Sequence, residues 1–313
     1  MMPAWLASGL VYASGLSLTA GGITLLYITT RTFNFAHASM ATWGFYVVYT
    51  GTVLYGGTPY RWLPLAFLFG ALLGVICYLA LNRLLLYRQA NTITLMMSTL
   101  GYDLVLLSFI QMYCDYLTYS LKLFPRRVTM SVFDIELFGT SGASIILPLT
   151  AVAVLTLLHL FITRTKFGTA MRATIENSLL AGASGINSDW VYMMSWIIGG
   201  GMASLGGAFM AMAMTGTPVL GMTTIPFMFA GAILGGLHSL YGGILGGFVV
   251  GLAEYAGVYF LAAQAGSWVL GYRMAIPLLI MAITLIAFPQ GLAGAWAPMV
   301  SRLRGLRRRG VGA

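Results

Sequence analysis

Few residues of this chain have the types and spacing that catalysis or metal binding requires. Its 313 residues include three histidines and two cysteines, and these do not cluster at metal-ligand spacing. A phosphate-binding P-loop needs a lysine directly after a glycine, whereas Lys122 follows Leu121 and Lys166 follows Thr165. No Gly-x-Ser-x-Gly elbow is present either. We therefore expect no enzyme activity, no ATP site, no metal and no cofactor.

Polar side chains interrupt an apolar stretch at residues 33–43, FNFAHASMATW, where they are Asn34, His37 and Ser39. Polar groups inside a bilayer must be satisfied. They could make hydrogen bonds between helices, or they could line a substrate pathway and brace a broken helix beside it. Asp103 and Glu254 are ionisable residues in apolar segments, so each is expected to face a cavity or a partner. For Glu254, a helix end near the membrane interface is the other possibility.

The segment 164–187 has a different pattern, with apolar residues at helical spacing between polar ones. The apolar positions are Phe167, Ala170, Met171, Ile175 and Leu179, which predicts a short amphipathic helix. Arg172 and Glu176 lie one turn apart and can pair across its polar face. Such a helix either lies on the bilayer surface or docks into a groove on a cytosolic partner.

Composition identifies the solvent of the chain as lipid. Hydrophobic residues make up 59% of it and charged residues 7%, against about 45–50% and about 25% in soluble domains. Apolar segments of the length that spans a bilayer run over residues 5–29, 33–55, 63–81, 93–113, 143–163, 190–214, 226–260 and 274–288. This pattern predicts an all-α polytopic helical membrane protein with about eight transmembrane segments. Its net charge of +9 is explained by membrane topology rather than by nucleic acid binding.

The seventh apolar segment is too long for one simple span and is rich in glycine. We predict a broken or re-entrant hairpin around residues 226–260, with the break near 238–241. Small residues four apart let helices approach closely in lipid, and the predicted packing positions are Gly231, Gly235, Gly243, Gly247 and Gly251. The polar break near Asn34 and the glycine-rich break near His238 fall in opposite halves, as in transporters built from two structural repeats.

Basic residues are enriched in cytoplasmic loops close to membrane ends. This rule places Arg83, Arg88, the 164–172 loop and the arginine-rich C-terminus inside, and counting back from there places the N-terminus outside. We expect one transmembrane domain over residues 1–297, with a cytoplasmic loop at 164–189, and a basic cytoplasmic tail over residues 298–313. The basic residues Lys122, Arg126 and Arg127 of the 113–142 loop, which this scheme places outside, argue mildly against it, because the acidic residues of the same loop hardly count in the rule.

Residues from three parts of the chain occur in an order and spacing typical of one known family. They are Asn34, Phe35, Ala36, His37, Gly44, Tyr46, Thr165, Phe167, Gly168, Ala170, Met171, Arg172, Ala173, Asn177, Ala181, Gly185, Ile186, Asn187, Gly235, Gly236, Ser239, Gly243, Gly247, Gly251, Glu254, Pro289, Gly291, Leu292 and Gly294. On these residues the sequence resembles, over nearly its whole length, the branched-chain amino acid permease family of bacterial and archaeal ABC importers. It departs from the family at Ala38 and Ser39, where glycine and an acidic residue are common, and at Phe288, where arginine is usual.

The resemblance implies a permease subunit in the plasma (inner) membrane of a bacterium or archaeon. Its implied partners are a second homologous permease subunit, two cytosolic ATPase subunits, an extracytoplasmic substrate-binding protein and membrane lipid. The resemblance also favours docking for the amphipathic helix. The implied ATPase-coupling residues are Phe167, Gly168, Met171, Arg172 and Glu176. The substrate-pathway candidates are Asn34, His37, Ser39, Asp103 and Glu254.

The substrate class that the resemblance implies is a branched-chain or other small apolar amino acid. Urea and short amides are alternatives within the same importer class. A secondary transporter or facilitator that works without ATPase subunits is the alternative from another class, although such a protein usually carries more charged residues within its spans.

Overall fold

The structure is a computed structural model that describes residues 3–137, 139–287 and 291–294. Its helices are α1 Ala4–Thr30, α2 His37–Tyr55, α3 Leu63–Cys77, α4 Arg83–Tyr87, α5 Thr92–Tyr119, α6 Ala143–Arg164, α7 Lys166–Glu176, α8 Ser178–Ala183, α9 Ser188–Ala213, α10 Leu220–Gly235, α11 Leu240–Ala265 and α12 Ala275–Ala287. A π-helical turn, Tyr78–Asn82, joins α3 to α4. Two-residue strands, β1 Glu136–Leu137 and β2 Thr140–Ser141, form an antiparallel hairpin. The predicted tail at 298–313 lies outside the described residues, as do Phe288 and Pro289.

The prediction of an all-α polytopic membrane protein is confirmed. Among the described residues, seven helical stretches are long and apolar enough to cross a membrane: Trp5–Thr30, Pro59–Tyr87, Thr92–Tyr119, Ala143–Arg164, Ser188–Ala213, Leu240–Ala265 and Ala275–Gly294. Two of the predicted segments differ from the structure. The segment predicted at 33–55 is helical only from His37, and the segment predicted at 226–260 is two helices, α10 and α11.

The glycine-rich hairpin breaks at residues 236–239, at the edge of the predicted position. Gly236 ends α10 with φ 103°, a conformation that side chains beyond glycine rarely adopt. Ser239 then begins α11, because its hydroxyl accepts a hydrogen bond from the amide of Gly242 at 3.1 Å. The chain therefore reverses within four residues and brings α11 back along α10.

Close glycine contacts hold this hairpin together and against α1. A Cβ on Gly235 would meet the backbone of Gly242, and one on Gly231 would meet the backbone of Gly247. Gly243 lies against Thr24 of α1, and Gly251 against Ala13. The predicted packing glycines therefore lie where α10, α11 and α1 approach most closely.

Basic residues mark one end of the helix bundle, which we call the basic end. Arg31 lies 3.1 Å from His238 in the α10–α11 turn, and Arg83 pairs with Asp189 in the first turn of α9 at 2.9 Å. Helix α7 covers the same end and packs on Leu25. The opposite end, which we call the loop end, contains the 120–142 connection. There Trp5 stacks on Tyr259.

Candidate functional site

The helix α2 begins halfway along α1. His37, its first residue, hydrogen-bonds through Nε2 to the carbonyl of Thr19 at 3.1 Å, and Thr19 lies near the middle of the 27-residue α1. A helix of that length spans about 40 Å. The segment 31–36, which is not helical, therefore runs back from the basic end to the middle of the bundle before α2 continues to the loop end.

A second break mirrors the first. After α9 ends near the loop end, residues 214–219 are not helical, and α10 starts at Leu220. The amide of Gly221 donates a hydrogen bond to the hydroxyl of Thr42 at 2.9 Å, and a Cβ on Gly221 would meet the carbonyl of Ala38. The first turns of α2 and α10 therefore meet at mid-depth, and the two helices leave toward opposite ends.

This arrangement corrects one expectation. The sequence paired the break near Asn34 with the glycine-rich turn near His238. The structure instead places that turn at the basic end, and the partner of the Asn34 break is the 214–219 segment. Gly216 and Pro218 in the sequence TGTP are the signal that could have indicated it.

Ser39 and Asp103 cap the first turn of α2. The amide of Ser39 donates to the Asp103 carboxylate at 3.0 Å, and the Ser39 hydroxyl donates to the Asp103 carbonyl at 3.1 Å. Asp103 lies on α5 and is almost fully buried. A carboxylate there satisfies a free N-terminal amide and complements the positive end of the helix dipole. Both side chains thus brace the broken helix.

Asn34 and His37 are buried at the same break with hydrogen-bonding capacity unused. Neither amide atom of Asn34 has a partner among the described residues, and neither has Nδ1 of His37. Because Nε2 of His37 faces a carbonyl, it carries the proton and leaves Nδ1 as an acceptor. An unpaired buried polar group costs about 1–3 kcal/mol. The break therefore holds polar groups that a passing polar molecule could satisfy.

Glu254 lies apart from these four residues. It is fully buried near the middle of α11, not at a helix end, and pairs with Arg273. The Arg273 guanidinium lies 5.1 Å from the ring of Tyr12 and 4.8 Å from that of Tyr255. Burial acts to lower the pKa of Arg273, but the groups around it, Glu254 first and then Tyr12 and Tyr255, together raise that pKa. Along the axis of α1, Tyr12 lies about 10 Å from Thr19, the residue that contacts His37. The Glu254–Arg273 pair is therefore at a different depth from the break.

The helix α7 uses its apolar face to pack on the bundle. Thr165 caps it by accepting from the amide of Gly168 at 3.0 Å. Met171 is buried, and the ring of Phe167 lies 5.4 Å from that of Phe161. Gly168 is in close contact with the backbone of Ile162. The surface of α7 that remains free for a partner is therefore its polar one.

Arg172 does not pair with Glu176, contrary to what their spacing allowed. Its guanidinium donates to the carbonyl of Ile162, near the end of α6, and to the hydroxyl of Thr169 at 3.3 Å. The last carbonyls of a helix lack intrahelical partners and carry partial negative charge. Arg172 therefore holds α7 against the end of α6.

The prediction that Leu179 continues the apolar face of α7 is wrong. Asn177 ends α7 and caps α8, because its side chain accepts from the amides of Leu179 and Leu180 at 3.1 and 3.0 Å. The leucines are consequently 84% and 66% exposed. The preference of asparagine for the N-cap position was the available signal.

No group of three or more metal-ligating side chains occurs among the described residues. Cys77 and Cys114 are both free and buried, and burial makes them small apolar residues of the core rather than reactive thiols.

Comparisons with known proteins match this chain along most of its length. A family model described as "Branched-chain amino acid transport system / permease component" matches residues 5–287. The chain is 36% identical over 298 residues to the probable branched-chain amino acid transport permease protein LivH of Methanocaldococcus jannaschii, covering 95% of this chain and 94% of the relative.

Bacterial relatives show the same coverage at lower identity. The high-affinity branched-chain amino acid transport system permease protein LivH of Escherichia coli is 26% identical, and BraD of Pseudomonas aeruginosa is 25% identical. Each comparison covers 92% of this chain and 94% of the relative. No solved structure matches the chain significantly. This integral membrane protein belongs to the family of branched-chain amino acid transport system permease components.

Proposed function

We propose that this chain is a permease subunit of an ATP-driven importer of branched-chain amino acids and forms half of its transmembrane pathway. The observation that carries the proposal is the match to permease components over 95% of the chain, at 36% identity to a protein named for that transport. The chain contains no P-loop lysine. Energy must therefore come from separate ATPase subunits, and substrate from an extracytoplasmic binding protein.

The pathway part of the proposal rests on the meeting of α2 and α10. Discontinuous helices whose ends meet near the bilayer midplane are typical of transporter sites. Asn34 and His37 would contact the passing substrate, because their polar atoms are buried and unpaired there. Ser39 and Asp103 would keep the α2 terminus in place. Glu254 would act from outside the pathway, by holding α11 to Arg273.

The coupling part rests on α7 and α8. The two helices cover the basic end, which we place in the cytoplasm by the positive-inside rule. Phe167, Gly168, Met171 and Arg172 would transmit movement to α1, α6 and α9, since these residues face the bundle. Glu176 lies on the exposed side with Leu179 and Leu180, where a cytosolic ATPase subunit would bind. A second permease subunit would complete the complex.

The substrate is tested most directly on the binding protein of the same importer. Titration calorimetry with leucine, isoleucine, valine, urea and acetamide should show binding of the three amino acids and none of the neutral amides. Tight binding of urea or acetamide, with no binding of leucine, would replace the proposed substrate while leaving the importer class in place.

A further inference from the structure

An apolar groove opens on the side of the bundle between α3, α6 and α9. Its volume is about 800 Å³, within the range of about 300–1,000 Å³ typical of small-molecule sites. The walls include Leu63 and Leu68 of α3, Val154 and Phe161 of α6, and Met202 of α9. The hydroxyls of the lining residues Thr150 and Tyr60 already have partners, the Ile146 carbonyl and the Asp134 carboxylate respectively. The groove therefore suits a hydrocarbon chain.

The groove exists because α6 stands away from α3 and α9. Only five of its 22 residues are buried, and its main packing partners are α1 and α7. The lining of α6 extends from Thr150 to Phe161, a rise of about 17 Å. Half of a hydrocarbon core of about 30 Å is similar in depth. An extended acyl chain of one leaflet thus matches the groove in length.

An arginine flanks the groove at the loop end, next in sequence to a lining residue. Arg61 directly follows the lining residue Tyr60, is exposed, and forms no ion pair with any described residue. Its guanidinium lies 5.9 Å from the ring of Trp62, and aromatic rings of this kind sit at the level of lipid headgroups. Arginine binds phosphate well.

We propose that a membrane phospholipid occupies this groove, with an acyl chain between α3, α6 and α9 and its phosphate against Arg61. The lipid supplies the packing that α6 lacks on this side. A helix of the second permease subunit is the other occupant to consider, but the exposed arginine beside Tyr60 and the length of the α6 wall both favour lipid.

Two valines of α6 provide a matched pair of variants. Val154 lines the groove, whereas Val152 is 61% exposed and lies outside it. Native mass spectrometry of the full chain in detergent, with palmitoyl-oleoyl phosphatidylglycerol added, should show a retained lipid adduct for the parent chain and for Val152→Trp. Val154→Trp should lose the adduct. Lipid should also raise the Tm of the first two proteins and leave the Tm of Val154→Trp unchanged.

The headgroup contact has its own control on the same end of the molecule. Arg61→Gln should lower the retention of phosphatidylglycerol, whereas Arg127→Gln, which changes another exposed arginine, should not. Equal retention by Val154→Trp and the parent chain would overturn the proposal. So would loss of the permease dimer in Val154→Trp with the lipid count unchanged, since a neighbouring subunit would then be the occupant.

Discussion

Glu254 is a fully buried carboxylate in a membrane-spanning helix, and Arg273 is the residue that compensates its charge. Removing one partner of a buried pair costs about 3–5 kcal/mol, because it leaves a buried charge unpaired. Arg273→Gln should therefore lower thermal stability in detergent strongly. Adding Glu254→Gln to that variant should recover part of the loss.

The double-mutant cycle tests this pair against independent effects. If the two substitutions simply add, so that the double variant is the least stable, Glu254 and Arg273 do not compensate each other. Transport should follow the same order as stability, since the Glu254–Arg273 pair lies apart from the break where α2 and α10 meet.

The sequence predicts the need for such partners but not their identity. An ionisable residue in an apolar segment must be paired, and this alone singled out Asp103 and Glu254. The partner of Asp103 is the first turn of α2, 64 residues earlier in the chain, and the partner of Glu254 is Arg273, which directly follows the 3-10 segment Ser267–Tyr272. Those contacts depend on how the helices pack, which periodicity does not encode.

The α10–α11 hairpin depends on glycine at the contact between its helices. Gly235→Ala places a methyl group against the backbone of Gly242, which cannot move away as a side chain could. Overpacking of this kind costs about 1–3 kcal/mol. We expect a lower Tm, measured with a thiol-reactive dye that reports the exposure of buried Cys77 and Cys114 on unfolding.

Gly101 is the matched control, because a Cβ there meets nothing within 4 Å. It lies within α5, where alanine is favoured over glycine by about 1 kcal/mol. Gly101→Ala should therefore keep or raise the Tm. If both variants have the Tm of the parent chain, close backbone contact does not hold the hairpin.

The two leucines of α8 belong to the predicted ATPase contact. Burial of a leucine is worth about 1.5–3 kcal/mol, and each 1.4 kcal/mol is about tenfold in affinity. Leu179→Ser with Leu180→Ser should therefore weaken binding of the ATPase subunit at least tenfold in a titration of the detergent-solubilised permease. Insertion into the membrane should be unchanged, because both side chains face away from the bundle.

An exposed leucine at the loop end, Leu121, serves as the comparison. Leu121→Ser should leave ATPase binding unaltered. Equal binding by the α8 variant and the parent chain would remove α8 from the interface, whereas absence of binding by the parent chain would instead count against the importer.

The presence of most helices can be predicted from the length of the apolar segments. The residues at which a helix stops and restarts inside the bundle are harder to predict. The α10–α11 break was predicted because Gly236 and its neighbours are conspicuous. The gap between the apolar segments 190–214 and 226–260 agrees with the break at 214–219, but the start of α10 at Leu220 and its contact with α2 depend on helix packing. The restart at Asn177 is not predicted, because a single asparagine does not outweigh the apolar pattern around it. The amphipathic helix is predicted in its correct place, but the exposure of Leu179 depends on the helix restart at Asn177.

Within the described part of the chain, the non-helical segments 31–36 and 214–219 lead into α2 and α10, whose first turns meet at mid-depth. One end of the molecule is marked by basic residues. Membrane orientation follows if that end is cytoplasmic. Ser184 lies exposed at the basic end and Ser131 exposed in the loop-end connection. On intact cells, Ser131→Cys should react with a membrane-impermeant maleimide, and Ser184→Cys should react only after permeabilisation.

The parent chain provides a low background for this labelling, as both of its cysteines are buried. The opposite labelling pattern would invert the molecule. It would place α7 and α8 outside, where no ATPase could reach them.

The central claim is that this chain moves substrate with energy supplied by partners. The direct measurement is transport of radiolabelled leucine across the membrane of proteoliposomes that contain the permease pair and its ATPases. ATP is supplied on the α7–α8 side, and the binding protein is supplied either inside or outside the vesicles. We expect leucine transport away from the binding protein only with ATP, and none by the permease alone. Uptake by the permease alone, driven by an ion gradient and indifferent to ATP, would contradict this account.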